Sequence, residues 1–469
     1  MTRDVFPYQG DGAAFLAGRE RAGLLDKPGV GKTAQVVRAC DLRGVSRGMI
    51  ICPAAVREHW KNEFADFGRQ RRRVVKGVTI HDFVAWANGH YDTLVTSYDL
   101  AVRWTKMLHE RCELLDFIAF DEAHYLKNPE TARARAFLGE NTDGVYGAAM
   151  WAQQAWWLTG TPVPNDPIDI YSFLKFMRAT QMPLEGFRKH YFDVTYRTYG
   201  SVQAAKREMT DELRSMIAQH SICRTLDDVG HQLPPIHLTP FMVDGSTDTI
   251  KRMLAEHPGL DQAILDAIAT DRGIAGIQAK HVATMRRLLA EAKAVPYANM
   301  LCGELDSGLD KMVVFAHHRE ALKIVRDVLL RNNFRCGIIY GDTPEKERVA
   351  LVRAFQSDPT MRVLLANIRS GGTGLTLTAA CHLDMLEADW APASNWQAIK
   401  RIHRLGQIRN VICRLIVLAG SFDVQVQEIV AEKTRAVGEL DIAAGGTDMY
   451  IPDLSAFTAG TWTLQEMLS

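Results

Sequence analysis

The sequence predicts an α/β protein of two parallel-sheet lobes joined by a helical stretch, on three observations. Short apolar runs recur in both halves of the chain, continuous rather than alternating, as strands buried on both faces require. Amphipathic helical patterns lie between them, giving the strand–helix alternation that builds parallel sheets. At 469 residues the chain exceeds one ordinary core, so two or three domains are expected.

Taken in order, an "AGLL" strand leads into a glycine-rich turn near residue 26. It is followed by "GMIICPA" (48–54), "DTLVTSY" (92–98), "LLDFIAFDEAH" (114–124) and "AWWLTGTP" (155–162). The second half repeats the pattern with "KMVVFAHH" (311–318), "CGIIYGD" (336–342), "RVLLANI" (362–368) and "HLDMLEA" (382–388). Helical patterns such as residues 319–332 and 345–356 separate these strands. From Pro162 to Lys311 the chain turns to long amphipathic stretches, and a mostly helical middle is expected. The proline-rich "QLPPIHLTP" (232–240) breaks it and marks the lobe boundary. The expected division is 1–236, with a helical insertion at about 165–230, and 237–469, with one at about 247–300. The stretch from Gly445 is weakly patterned.

Lysine plus arginine number 55 and aspartate plus glutamate 55, so bulk charge gives a nucleic-acid partner no support. The eight cysteines are scattered with no CxxC pair, which fits free thiols in a reducing compartment. No run has the length of a signal peptide or a membrane span. A soluble, cytoplasmic protein with no membrane partner is expected.

The chemistry starts at "DKPGVGKT". A phosphate loop usually reads G-x-x-x-x-G-K-[ST], and here Asp26 stands at the first glycine's place. Gly29 and Gly31 permit positive φ, so successive N–H groups can face phosphate oxygens at a helix N-terminus. Lys32 would reach the β- and γ-phosphates, and Thr33 would offer its hydroxyl to magnesium. Further on, an apolar strand delivers Asp121 and Glu122 at its C-terminal end, where open α/β sheets bind ligands. Asp121 suits a magnesium ligand and Glu122 the base that orients water. Together with the loop, this pair indicates an NTP site. Gln397, Arg401 and Arg404 stand at i, i+4 and i+7, one face of an expected helix. Arginines there would meet charge growing on a transferred phosphoryl group. Gly372 and Gly374 lie in a glycine-rich turn just before them. His317 and His318 end a strand, which favours a structural or DNA-facing role over a metal site. Trp151, Trp156 and Trp157 read as core, and Arg69, Arg71, Arg72 and Arg73 as a solvated turn.

These pieces, in this order, resemble the Swi/Snf family of superfamily-two DEAH-box ATPases, from "FPYQGDGAAFL" to "HRLGQ". "IICPAAVREHW", "VTSYDL", "DEAH" with "YLKN", "LTGTPVPN", "CRTLDDVGHQLPP", "SGGTGLTLTAA" and "QAIKRIHRLGQ" carry the likeness. The stretch from Glu291 to Leu322 is most similar to the annealing-helicase branch. The chain departs from the family's pattern at Lys27-Pro28 and Ala391. The resemblance implies two RecA-like lobes with helical protrusions, ATP and Mg2+ as cofactors, and Gln9 reading adenine. It adds Asp26, Gly29, Gly31, Gly372, Gly374 and Gln397 to the ATP-binding set. It also implies backbone contacts to duplex or branched DNA, with Arg57, Lys61, Thr96, Ser97 and His317 as candidates. The implied activity is an ATP-dependent DNA translocase that remodels junctions or displaces proteins, working as a monomeric motor. A targeting partner, and a nucleoid-associated or phage-encoded setting, stay open. So do two rivals, a strand-separating DNA or RNA helicase and an ATP-gated clamp with little turnover.

Overall fold

The computed structural model describes residues 3–45, 47–111, 114–139, 147–197, 200–230, 233–261, 263–265, 277–368, 375–404, 406–421 and 423–438. The chain forms two compact units. One takes in Met1–Phe192 and Ala205–His231, the other Asp193–Ala204 and Gln232–Gly438.

The first unit is built on a seven-stranded sheet. Its strands are β1 (Arg21–Leu24), β2 (Gly48–Cys52), β3 (Val74–Lys76), β4 (Thr93–Ser97), β5 (Leu115–Asp121), β6 (Ala152–Leu158) and β9 (Ser221–Ile222). The order is β3-β4-β2-β5-β6-β1-β9, every pair parallel. Three helices of this unit carry or support candidate site residues: α1 (Pro7–Ala17), α2 (Lys32–Arg43) and α3 (Arg57–Phe67). The "AGLL" run and the four longer runs expected in this half are all strands, because each is apolar on both faces and is covered on both. Trp156 and Trp157 of β6 are buried, as the core reading expects. They flank the sheet, Trp156 stacking on Phe117 with centroids 5.6 Å apart and Trp157 meeting Phe173 at 5.9 Å.

Between the sheets the expected helices occur at Ile170–Phe176, Leu184–Tyr191 and Thr210–His220. The mostly helical middle also holds a strand pair, since β7 (Phe192–Arg197) and β8 (Gly200–Ala205) form a separate two-stranded ribbon. Residues 192–205 carry β-branched and aromatic side chains around "TYGS", a strand–turn–strand composition.

The second unit is a six-stranded parallel sheet in the order β10-β15-β14-β11-β13-β12. Its strands are β10 (Ile236–Val243), β11 (Met312–Ala316), β12 (Arg335–Ile339), β13 (Met361–Asn367), β14 (His382–Met385) and β15 (Val411–Leu418). The proline-rich segment at 232–240 therefore feeds a strand. Pro240 is tolerated there because β10 is an edge strand, where one row of N–H groups has no ladder to serve. A 30-residue helix, Ile277–Asp306, runs through Pro296 and packs Ala294, Tyr297, Ala298 and Leu301 into the core. Among the described residues no helix is long and apolar enough to cross a membrane. The weakly patterned stretch from Gly445 lies outside the described residues.

What places the functional residues is register. In the first sheet Leu24 of β1 and Asp121 of β5 both stand beside Leu158 of β6. Three parallel strands thus release three loops from one edge: the glycine loop, the Asp121–Glu122 pair and Thr159–Thr161.

Candidate nucleotide site

The loop from β1 to α2 turns on two glycines with positive φ, Gly29 at +97° and Gly31 at +84°. Gly31 is also the N-cap of α2, and a Cβ there would overlap the amide of Gln9. Gln9 itself is buried. Its Oε1 accepts the Phe6 N–H at 3.0 Å and its Nε2 donates to the Val30 carbonyl at 3.2 Å. Lys32 Nζ donates to the Asp26 carbonyl at 2.7 Å, and half-buried Thr33 follows in the first turn of α2.

Asp26, expected among the ATP contacts, contributes differently. Its side chain is fully buried, and its carboxylate accepts from Gln35 Nε2 (2.9 Å) and from Arg224 Nε (3.0 Å), Nη2 (2.7 Å) and backbone N–H (3.0 Å). The carboxylate thus faces the protein interior, and the backbone carbonyl is what meets Lys32. An aspartate can replace the usual glycine because a guanidinium fork neutralises it in place.

Asp121 ends β5 with its carboxylate held by two donors, Trp60 Nε1 at 2.8 Å and the Glu122 N–H at 3.0 Å. Its carbonyl accepts from the Tyr98 hydroxyl at 2.8 Å. The carboxyl pKa is pushed up to about 6, first by removal from water and then by the neighbouring Glu122 charge. The Trp60 bond and the Lys32 charge pull it back down. Glu122 holds φ +51°, a left-handed conformation uncommon outside glycine. His124 Nδ1 lies 3.3 Å from Glu122 Oε2, 3.1 Å from Thr159 Oγ1 and 3.3 Å from Thr161 Oγ1. The acidic pair is therefore wired to the loop after β6. Gly160 closes the circle, since a Cβ on it would sit 2.8 Å from Pro28 Cδ. The Lys27-Pro28 departure is accommodated by that absent Cβ.

Thr33 and Asp121 each carry an oxygen of the kind a hard cation takes, and a cation beside Asp121 would favour the ionised form of its raised carboxyl. No group of three or more His, Cys, Asp or Glu side chains among the described residues could hold a metal.

The nucleic-acid candidates separate. Lys61 is exposed on α3 and Arg57 half-buried at its start, where Arg57 Nη1 donates to the Gly77 carbonyl at 3.0 Å. Thr96 is fully buried and its hydroxyl donates to that same carbonyl at 3.2 Å, while Ser97 is 7% exposed. Both side chains are buried in the sheet, because β4 is covered on both faces. In the second unit His317 is half-buried, with its N–H on Glu387 Oε2 at 3.0 Å. The arginine run differs from a merely solvated turn. Arg72 pairs with Asp41 at 3.3 Å and Arg73 with Asp92 at 2.8 Å, fastening the segment before β3.

The arginine cluster of the second unit needs a correction. The helix spans Pro392–Ile399, so Gln397 lies on it but Arg401 and Arg404 do not. The chain tightens into turns, with Arg401 N–H on Ala398 O at 3.0 Å and Ile402 N–H on Ile399 O at 3.1 Å. The Arg401 carbonyl, past the helix end, accepts from the Leu377 N–H at 2.9 Å. Arg401 is buried, and Arg404 reaches Lys400 O at 3.0 Å and Thr376 Oγ1 at 3.2 Å. Gly372 and Gly374 lie outside the described residues.

Sequence reasoning did not single out Trp60, His124, Thr159, Thr161 or Arg224. The motif strings contain all five, yet their roles depend on partners tens to hundreds of residues away.

Two family models match the chain, the SNF2-related domain over residues 8–247 and the helicase conserved C-terminal domain over residues 297–406. Among curated proteins, the SWI/SNF-related matrix-associated actin-dependent regulator of chromatin subfamily A-like protein 1 of Drosophila melanogaster is 26% identical over 457 residues. That match covers 95% of this chain and 57% of the relative. The DNA annealing helicase and endonuclease ZRANB3 of Bos taurus is 26% identical over 447 residues, 92% of this chain and 40% of the relative. The chain spans about half the length of the curated relatives it matches. A solved structure, the Sulfolobus solfataricus SWI2/SNF2 ATPase core in complex with dsDNA, aligns over 92% of each chain with 21% identity and a TM-score of 0.43.

Proposed function

Because the chain belongs to the SNF2-related family, we propose that it is a DNA-dependent ATPase whose hydrolysis cycle drives movement along duplex or branched DNA. One observation carries the ATPase part: the parallel register that sets Lys32, Asp121–Glu122 and Thr159–Thr161 along a single sheet edge. In this reading the N–H groups around Gly29 and Gly31 cradle the phosphates and Lys32 leaves the Asp26 carbonyl for them. Magnesium, when bound, neutralises phosphate charge, and Thr33 and Asp121 are the residues that would hold it. Glu122 orients and deprotonates the attacking water, with His124 fixing its carboxylate. Gln9 meets the base. Arg401 and Arg404, with Gln397 beside them, are the proposed source of transition-state charge, a role worth about three to five powers of ten in rate.

The DNA part is supported by the family and by the cations Arg57 and Lys61, with His317 a further candidate contact. Such contacts go to phosphates, so binding would weaken steeply with salt. The test is steady-state ATP hydrolysis by wild type and Glu122→Gln with no nucleic acid, single strands, duplex, branched DNA and RNA. Stimulation by duplex or branched DNA, lost in the variant, is the expected result. Stimulation by single strands or RNA alone would favour a strand-separating helicase, and tight ATP binding without turnover a clamp.

A further inference from the structure

Arg224 follows β9 near the end of the first unit, eight residues before Gln232, where the second unit's main segment begins. Its guanidinium serves three separate elements. Nε and Nη2 form a fork on the Asp26 carboxylate at 3.0 and 2.7 Å. Nη2 also donates to Gln35 Oε1 of α2 at 2.7 Å, and Nη1 donates to the Tyr8 carbonyl in α1. The guanidinium lies over the Tyr8 ring, 5.4 Å from its centroid. α1 makes room for this with Gly12, whose Cβ would come within 2.8 Å of Arg224 Nη2.

The elements so joined are those that would face a nucleotide. Asp26 begins the phosphate loop, and Gln9, one residue past Tyr8, rests its amide on Val30 within it. The Gln9 amide gives one N–H to Val30 and one lone pair to Phe6, which leaves one donor and one acceptor, the complement of adenine N7 and N6. The guanine edge presents two acceptors there instead.

From this geometry we infer that Arg224 is a positioning residue for nucleotide recognition. Through Asp26 it sets the start of the phosphate loop, and through the Tyr8 carbonyl it sets Gln9, so it governs the preference for adenine nucleotides. The inference rests on the ATPase reading for its ligand. A residue acting only on stability would weaken every nucleotide alike. Arg224 would act on the base contact more than on the phosphates, because Lys32 and the N–H groups of the loop remain when it is changed.

The experiment compares wild type, Arg224→Lys and Arg224→Ala, using binding of ATP and GTP by calorimetry beside KM and kcat for each. Arg224→Lys keeps a cation next to buried Asp26 and so guards against simple unfolding. A single ammonium cannot span Asp26, Gln35 and Tyr8 together. The expected result for Arg224→Lys is a loss of ATP affinity of about tenfold with little change for GTP, kcat within about twofold, and a melting temperature lowered less than in Arg224→Ala. An unchanged ATP-to-GTP affinity ratio in folded Arg224→Lys and Arg224→Ala would overturn the inference. So would a parallel loss for both nucleotides that follows a fall in melting temperature. Wild type that binds ATP without turnover would defeat the ATPase reading, while the affinity ratio would still decide this one. Wild type that binds neither nucleotide would defeat both.

Discussion

Replacing Trp60 by Phe removes one donor from the acidic centre while keeping an aromatic ring in the core. Trp60 is fully buried, and its indole N–H reaches Asp121 Oδ2 at 2.8 Å. That bond favours the ionised carboxylate, against the burial and the Glu122 charge that together raise the Asp121 pKa to about 6. A hydrogen bond to a charged group contributes about 1.5–3 kcal/mol. Since one pKa unit corresponds to about 1.36 kcal/mol, its loss moves the acid limb of activity upward by about one to two pH units. Near neutral pH the ionised fraction then falls severalfold, and it recovers as the pH is raised further. The assay is kcat/KM for ATP against pH, which reports the free enzyme. It should be run well below the melting temperature, because the smaller ring also leaves a cavity. An acid limb that stays in place would refute the reasoning, as would a loss that high pH does not restore.

The same raised carboxyl has a consequence for stability. A group whose folded pKa lies above its unfolded value stabilises the fold fully below about pH 3.8 and loses that contribution as pH rises through about 6. Asp121→Asn should therefore melt higher than wild type at pH 7.5 without nucleotide, by about 1–2 kcal/mol after allowing for partial exposure, with no advantage at pH 4 and no turnover. Gly160→Ala places a methyl 2.8 Å from Pro28 Cδ. Displacing the phosphate loop in this way should raise the KM for ATP by about tenfold, read by steady-state kinetics, and an unchanged KM would show that Pro28 yields freely. Trp156→Ala empties the space against Phe117 and removes the bond from Nε1 to the Leu16 carbonyl at 3.2 Å. Chemical denaturation should show a loss of about 3–5 kcal/mol.

Legibility tracks the range of the interaction concerned. The eight apolar runs are strands because burial on both faces leaves a continuous signal within seven or so residues. β15 gives no such signal although it lies inside its sheet, because Arg414 interrupts "VICRLIVL". That arginine is neutralised by Asp384, at 2.7–2.8 Å, and by Glu304, partners from β14 and the 277–306 helix. β10 is masked by His237, Thr239 and Pro240, an alternation that an edge position allows. In the candidate nucleotide site, Lys32, Thr33 and Glu122 can be picked out from the sequence because each belongs to a short string whose geometry is local. The i, i+4, i+7 spacing of Gln397, Arg401 and Arg404 satisfies a helix that has already ended. Periodicity cannot report that the Arg401 carbonyl is claimed by Leu377.

Asp26 is the instructive failure of a local reading. From its place in the loop it is expected among the ATP contacts. Its carboxylate is instead taken by a guanidinium 198 residues away in sequence. An unpaired buried carboxylate would cost several kcal/mol, so the substitution at 26 and the arginine at 224 make sense only together. Neither residue alone carries a signal that names the other. The variant first position is thus explained by how this unit closes its interior around Asp26, and in the proposed reading the phosphate contacts fall to Gly29, Gly31 and Lys32.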